Sequence, residues 1–163
     1  MKCLGIESTA HTFGAGIIDD KGRIYANVTD AYNTVKGGIH PTEAKIHHEN
    51  VKDNVIENAL KVANSKVEDI DLISFSQGPG IAPCLLVGMR KAKEIAKNIN
   101  IPLVGVNHCI AHLEIGKLMT KAKDPVLLYA SGANTQVIAY EGGKYRVFGE
   151  TLDQGVGNFI DSF

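Results

Sequence analysis

The chain has 163 residues, 44% of them hydrophobic, and 17 Lys and Arg against 18 Asp and Glu give a formal net charge of −1. That is enough apolar material for a core of its own, in one domain or slightly more, and the near-zero charge excludes a chain-wide basic field for holding a polyanion. No charged leader followed by an apolar run and no membrane-length window is present, and Cys3, Cys84 and Cys109 lie in apolar surroundings as reduced, buried thiols, so the expected setting is cytoplasmic.

Strand-like runs open the sequence at Cys3–Ile6, Phe13–Ile18 and Arg23–Val28, the last two joined by a turn at Asp20-Lys21-Gly22. They form an antiparallel meander. Pro41 marks a first helical turn, and Val51, Val55, Ala59, Leu60, Val62 and Ala63 recur at helical spacing up to about Asn64, which predicts one long amphipathic helix. A buried strand at Asp71–Ser76, a helix at Leu85–Asn98, a second buried strand at Pro102–Val106 and a helix at His108–Met119 capped by Asn107 follow. Strands alternating with helices after a meander predict a mixed α/β sheet, with these three helices covering one core.

The polar run from Thr120 to Pro125 reads as a lobe boundary, giving a first lobe over 1–122 and the incomplete beginning of a second over 123–163. The opening pattern then recurs: Val126–Ala130, the loop Ser131-Gly132-Ala133-Asn134, Thr135–Tyr140, the turn Glu141-Gly142-Gly143 and Tyr145–Glu150 restate the meander. A repeated sheet-forming unit implies two similar lobes. A helix is expected to begin near Gly155, running through Gly157 and Asn158 to Asp161.

Two polar loops after equivalent strands, Ser8-Thr9-Ala10-His11 and Ser131-Gly132-Ala133-Asn134, are candidates for gripping phosphates, because short hydroxyl, amide and glycine residues expose backbone N–H groups. Each taken alone is compatible with an ordinary hairpin connection. In Asn107-His108-Cys109-Ile110-Ala111-His112, His108 and His112 are four apart at the start of a helix after a strand. They share a helical face and can ligate one metal, at the strand end where α/β sheets collect ligands. Helix-surface or capped histidines would have the same spacing. A zinc-protease site is excluded, since Cys109 stands where a His-Glu-x-x-His motif needs its general base. His47-His48-Glu49 on the long helix is expected to form a solvated or interface face, because adjacent side chains diverge by about 100°. Gly78-Pro79-Gly80 reads as a rigid turn as readily as a ligand contact.

Six stretches in order match one family: Gly5 to Thr12, Gly37-Gly38-Ile39-His40-Pro41, Ser76 to Gly80, Gly105 to His112, Tyr129 to Gln136 and Gly149 to Asp153. Together they resemble the tRNA threonylcarbamoyladenosine transferases, formerly called O-sialoglycoprotein endopeptidases, in their archaeal and eukaryotic branch. The resemblance implies an actin-like ATPase (ribonuclease H-like) lobe and the start of a second. It also implies transfer of threonylcarbamoyl from threonylcarbamoyl-adenylate to the adenosine 3′ of the anticodon of ANN-decoding tRNAs. Implied metal ligands are His108, His112 and Tyr129, with a fourth, an aspartate, beyond this chain. The ion would be divalent or ferric, iron by resemblance or zinc. Implied substrate and adenine-nucleotide contacts are Tyr129, Ala130, Ser131, Gly132, Ala133, Asn134 and Asp161, and Glu7, Ser8, Thr9 and His11 are the candidate catalytic residues, as the phosphate loop. Implied partners are KEOPS subunits, namely a small dimerising subunit and a kinase-like one, with tRNA engaged through the complex. Ala133 departs from a common family glycine. With one metal ligand lacking, the chain by itself is expected to be inactive; a docking module for those subunits and an actin-like kinase fragment are the alternatives.

Overall fold

The computed structural model describes residues 1–34 and 38–163, so Gly37 of the Gly-Gly-Ile-His-Pro stretch lies outside the described residues. Two compact units are formed, Met1–His108 and Cys109–Phe163; the boundary read from the sequence, after residue 122, lies further along the chain.

In the first unit, β1 (Lys2–Glu7), β2 (Thr12–Asp19) and β3 (Ile24–Ala31) form the meander. Its β2–β3 turn is tied by the Asp19 carboxylate, whose Oδ1 accepts the N–H groups of Lys21 and Arg23 at 2.9 Å each, with Gly22 at φ 78°. Only a residue without Cβ takes that backbone without strain. Parallel strands β4 (Leu72–Gly78) and β5 (Leu103–Asn107) extend the sheet on the other side of β1, giving the order β3-β2-β1-β4-β5. The alternation Leu4, Ile6 on β1 and Phe13, Ala15, Ile17 on β2 puts these side chains on one face, as the two-residue period of a strand requires.

That face is covered by α1 (Pro41–Val62) and α2 (Ala82–Ile99). Pro occupies the first turn of both helices, where its missing N–H costs nothing, and Asn100 closes α2 in the left-handed region at φ 55°. Val55, Ile56 and Ala59 of α1 and Val87, Ala92, Ile95 and Ala96 of α2 complete the core with Ile70 and Ile73.

Three expectations are corrected. No residue of the third helix enters that described core, because α3 (His108–Thr120) groups almost wholly with the second unit. β5 is an edge strand rather than a buried one: among the described residues it pairs only with β4, and Val104 is 45% exposed. α2 starts three residues before Leu85, at Ala82, since Pro83 fits its first turn.

In the second unit α3 precedes β6 (Leu127–Ala130), β7 (Thr135–Glu141) and β8 (Lys144–Glu150), an antiparallel sheet in the order β6-β7-β8, and α4 (Val156–Asp161) follows. The second meander therefore repeats the first. Its β7–β8 turn has Gly142 and Gly143 at φ 58° and 78°, the two positive values that a tight hairpin turn demands. Its described buried hydrophobic residues are Cys109, Leu113 and Ile138, while Val126, Leu128, Val147 and Phe148 are exposed.

Cys3, Cys84 and Cys109 are thiols; Cys84 and Cys109 are buried, as expected, whereas Cys3 is only half-buried, with its Sγ 3.4 Å from Ser74 Oγ. Among the described residues no helix is long and apolar enough to cross a membrane.

Candidate functional site

Parallel pairing of β1, β4 and β5 brings their C-terminal ends together, and Glu7 is the last residue of β1. Four donors converge on its carboxylate. Oε1 accepts the Thr9 backbone N–H at 2.7 Å and the Thr9 hydroxyl. Oε2 accepts the Ser76 hydroxyl and the His108 Nδ1–H, the latter at 3.3 Å. Burial pushes the Glu7 pKa up, but the hydrogen bonds from His108, Ser76 and Thr9 outweigh it and hold the carboxyl at about 2. The group is an anion at any physiological pH.

The loop after β1 turns its hydroxyls inward. Ser8 and Thr9 are buried, and Ser8 nests against α2 where a Cβ on Gly88 would overlap its hydroxyl. Thr9 O accepts the Ile81 N–H at 2.7 Å, and a Cβ on Gly80 would stand 2.5 Å from that same oxygen. The Gly78-Pro79-Gly80 turn therefore clamps the loop. His11 is exposed, and its carbonyl accepts the Tyr32 N–H at 2.8 Å. Of Glu7, Ser8, Thr9 and His11, the structure gathers the first two hydroxyl-bearing neighbours around Glu7 or α2 and leaves His11 on the surface.

His48 corrects the expectation of a solvated histidine face. Its side chain is fully buried, packed edge-on against Phe13 at 5.5 Å between ring centroids. Among the described residues neither ring nitrogen has a partner in good hydrogen-bonding geometry, the Ala10 backbone lying near without closing a proper bond. Burial, reinforced by the neighbouring His47, lowers its pKa from 6.5 to about 4; the Ala10 backbone and the Glu7 charge oppose that shift without reversing it. His47 does lie nearer the surface, with Nε2 3.1 Å from Asp30 Oδ1.

β5 ends at Asn107 and α3 begins at His108. His108 is partly buried on the Glu7 carboxylate. His112, one helical turn on, is exposed, and its ring centroid stands 5.6 Å from that of Tyr129 on β6. Cys109 between them points inward, where burial raises its thiol pKa. Among the described residues no three His, Cys, Asp or Glu side chains form a group able to hold a metal ion. The donors at hand are two imidazoles at helical spacing with a phenol beside the second, a chemistry that suits a transition metal.

The loop Ser131–Asn134 is folded on itself: Ser131 Oγ donates to Asn134 O at 2.8 Å and accepts the Asn134 N–H at 3.1 Å. Ala133 is not in the left-handed region, so alanine in place of the family's glycine carries no backbone strain. Asp161 is exposed at the end of α4.

Sequence reasoning missed Gly155 and Gly157. Gly157 N–H donates to Ser131 O at 3.1 Å, and Val156 N–H to Thr135 Oγ1 at 2.9 Å, so α4 is docked onto the loop. A Cβ on Gly155 would stand 2.6 Å from Gly132 O and 2.7 Å from both Asn134 N and Ser131 O. The Gly-x-Gly spacing was the available signal. Glu150 was missed too; its Oε1 accepts the Gln136 amide at 2.6 Å and the Asn134 amide at 3.2 Å, bracing the loop from β8.

The family model for TsaD, tRNA N6-adenosine threonylcarbamoyltransferase, matches residues 23–163. A tRNA N6-adenosine threonylcarbamoyltransferase of Thermococcus kodakarensis is 57% identical over 163 residues, and one of Thermococcus gammatolerans is 56% identical; each comparison covers 100% of this chain and 50% of the relative. The chain thus spans about half the length of the curated relatives it matches. Among solved structures, YeaZ from Pseudomonas aeruginosa superposes with a TM-score of 0.63 at 14% identity, over 92% of this chain and 65% of that one. This likeness bears on the fold alone, which is actin-like. On the strength of the family match and of identity above one half along its whole length, the chain belongs to the tRNA N6-adenosine threonylcarbamoyltransferase family.

Proposed function

We propose that the protein of which this chain forms a part transfers threonylcarbamoyl from threonylcarbamoyl-adenylate to the adenosine 3′ of the anticodon. The observation that carries this reading is the likeness over the whole chain to curated transferases, which takes in both loops and the His108–His112 segment.

In this reading His108, His112 and Tyr129 would hold one metal ion, iron or zinc, by their imidazole and phenol groups. When bound, the ion would supply Lewis acidity toward a carbamoyl or phosphate oxygen. The exposed tip of the second loop, Gly132 and Ala133, offers backbone amides to the adenylate, and Ser131 and Asn134 keep that tip in shape through their mutual hydrogen bonds. Tyr129 and Ala130 lead into the loop from β6, and Asp161 contributes a carboxylate from α4. Glu7, with a pKa of about 2, is a poor general base at neutral pH, so abstraction of the adenosine amine proton is not assigned to it. With a net charge of −1, tRNA contact calls for a local basic patch or for partner subunits, and this reading takes the latter, of the KEOPS type.

The test is a chimera in which this chain precedes the remaining half of the Thermococcus kodakarensis relative. Given threonylcarbamoyl-adenylate and an ANN-decoding tRNA, the chimera is expected to form threonylcarbamoyladenosine. His108→Ala with His112→Ala should reduce the rate at least about 100-fold, as loss of a catalytic electrostatic group does. Unmodified tRNA with a folded, metal-loaded chimera, or full activity in the double variant, would count against the reading.

A further inference from the structure

Glu7 joins three strand ends. Its own strand is β1, Ser76 comes from β4, and His108 follows β5, 101 residues further along the chain. Both carboxylate oxygens carry donors, and the Thr9 N–H and the two hydroxyls fix the carboxylate so that it cannot swing away from His108. We propose that Glu7 is a positioning residue: its carboxylate takes the Nδ1–H of His108 and fixes that imidazole as the Nδ1–H tautomer, so that any metal ligation by the ring runs through Nε2. This rests on the metal half of the reading above, but the tautomer can be tested without metal.

The chemistry favours orientation over acid–base work. A carboxylate with both oxygens already accepting hydrogen bonds from Thr9 and Ser76 is held in place and ionised rather than left free to shuttle a proton. The same permanent charge makes it a strong acceptor for an imidazole N–H. A carboxylate behind a ligating histidine sets the ring's tautomer and orientation and raises its basicity. The sequence hides this role, because Glu7 sits beside the Ser-Thr loop and reads as part of it.

The experiment uses the chain labelled with 15N-histidine, at about pH 8, where imidazoles are ordinarily neutral. Long-range 15N–1H correlation reports which ring nitrogen of His108 carries the proton. The wild type is expected to show Nδ1–H. In Glu7→Gln the amide, which donates as well as accepts, should let the ring populate both tautomers. Ser76→Ala, which removes another donor but keeps the Glu7 charge, should leave Nδ1–H in place. A second arm titrates Co2+ alone into wild type and Glu7→Gln, and the variant should bind about 10–100-fold more weakly. An Nε2–H or doubly protonated His108 in the wild type overturns the proposal even if Glu7→Gln does not fold. An unchanged tautomer in a folded Glu7→Gln overturns it too. An Nδ1–H ring that responds to Glu7→Gln supports the positioning role even in a chain that binds no cobalt, because the metal reading calls for a fourth ligand outside these residues.

Discussion

Lowering the pH from 7 to 5 is expected to remove about 2 kcal/mol of folding stability through His48 alone. Buried, and with no well-formed hydrogen bond to either ring nitrogen among the described residues, His48 is held neutral in the folded chain with a pKa of about 4, against an ordinary 6.5. Because the folded pKa is depressed, the unfolded chain binds the proton first. The His48 contribution is therefore complete above about pH 6.5 and is lost as pH falls toward 4, for a total of about 3 kcal/mol. Glu7 acts in a lower window: its folded pKa of about 2 lies below the ordinary 4.5, so its contribution is intact above 4.5 and lost from there down to 2. Urea unfolding of wild type and His48→Leu at pH 7 and pH 5 separates His48 from the other histidines, which are common to both proteins. The wild type should lose about 2 kcal/mol more than the variant over that interval. Equal losses would mean that His48 is protonated in the folded chain or finds a partner there.

Gly155→Ala should detach α4 from the Ser131–Asn134 loop at a cost of about 3 kcal/mol, the upper end of what overpacking does. The added Cβ would meet three backbone atoms, Gly132 O, Asn134 N and Ser131 O, at 2.6–2.7 Å. A crowded side chain could rotate away, but a crowded backbone has to move. Gly149→Ala in the neighbouring strand is the control, since its Cβ would find only Val137 side-chain atoms at 3.8 and 3.9 Å, an ordinary contact. It should change stability by no more than about 0.5 kcal/mol. Amide exchange provides the readout. The N–H groups of Gly157 and Asn158, which donate to Ser131 O and Gly132 O, should lose protection in Gly155→Ala, while the amides of β1, β2 and β4 keep theirs. Retained protection at Gly157 would show that the loop gives way without releasing α4.

Much of the fold was legible because its punctuation is chemical. Gly22 and Gly142-Gly143 mark turns that need positive φ, and Pro41 opens α1, so both meanders and the long helix could be placed from residue type. What could not be read was context. Leu103–Val106 is as apolar as a central strand, and nothing in a strand's composition says that a partner lies on one side only. His48 was open to a better reading: Ala44, His48, Val55 and Ala59 are all buried on α1, and their spacings of four, seven and four residues trace one helical stripe. Treating histidine as polar concealed it. Gly155 was noticed only as a helix start, since a glycine's missing Cβ has meaning only when the neighbouring backbone is known. Glu7 was singled out for the right neighbourhood, but its link to His108 spans 101 residues and no local pattern records it.

The claim that α3 carries metal ligands is tested most directly by the metal content of the purified chain and of its His108→Ala, His112→Ala variant, measured by elemental analysis after identical loading and desalting. Loss of bound iron or zinc in the variant, with the β-sheet intact by circular dichroism, is the predicted result. Equal metal content in the two proteins would contradict it.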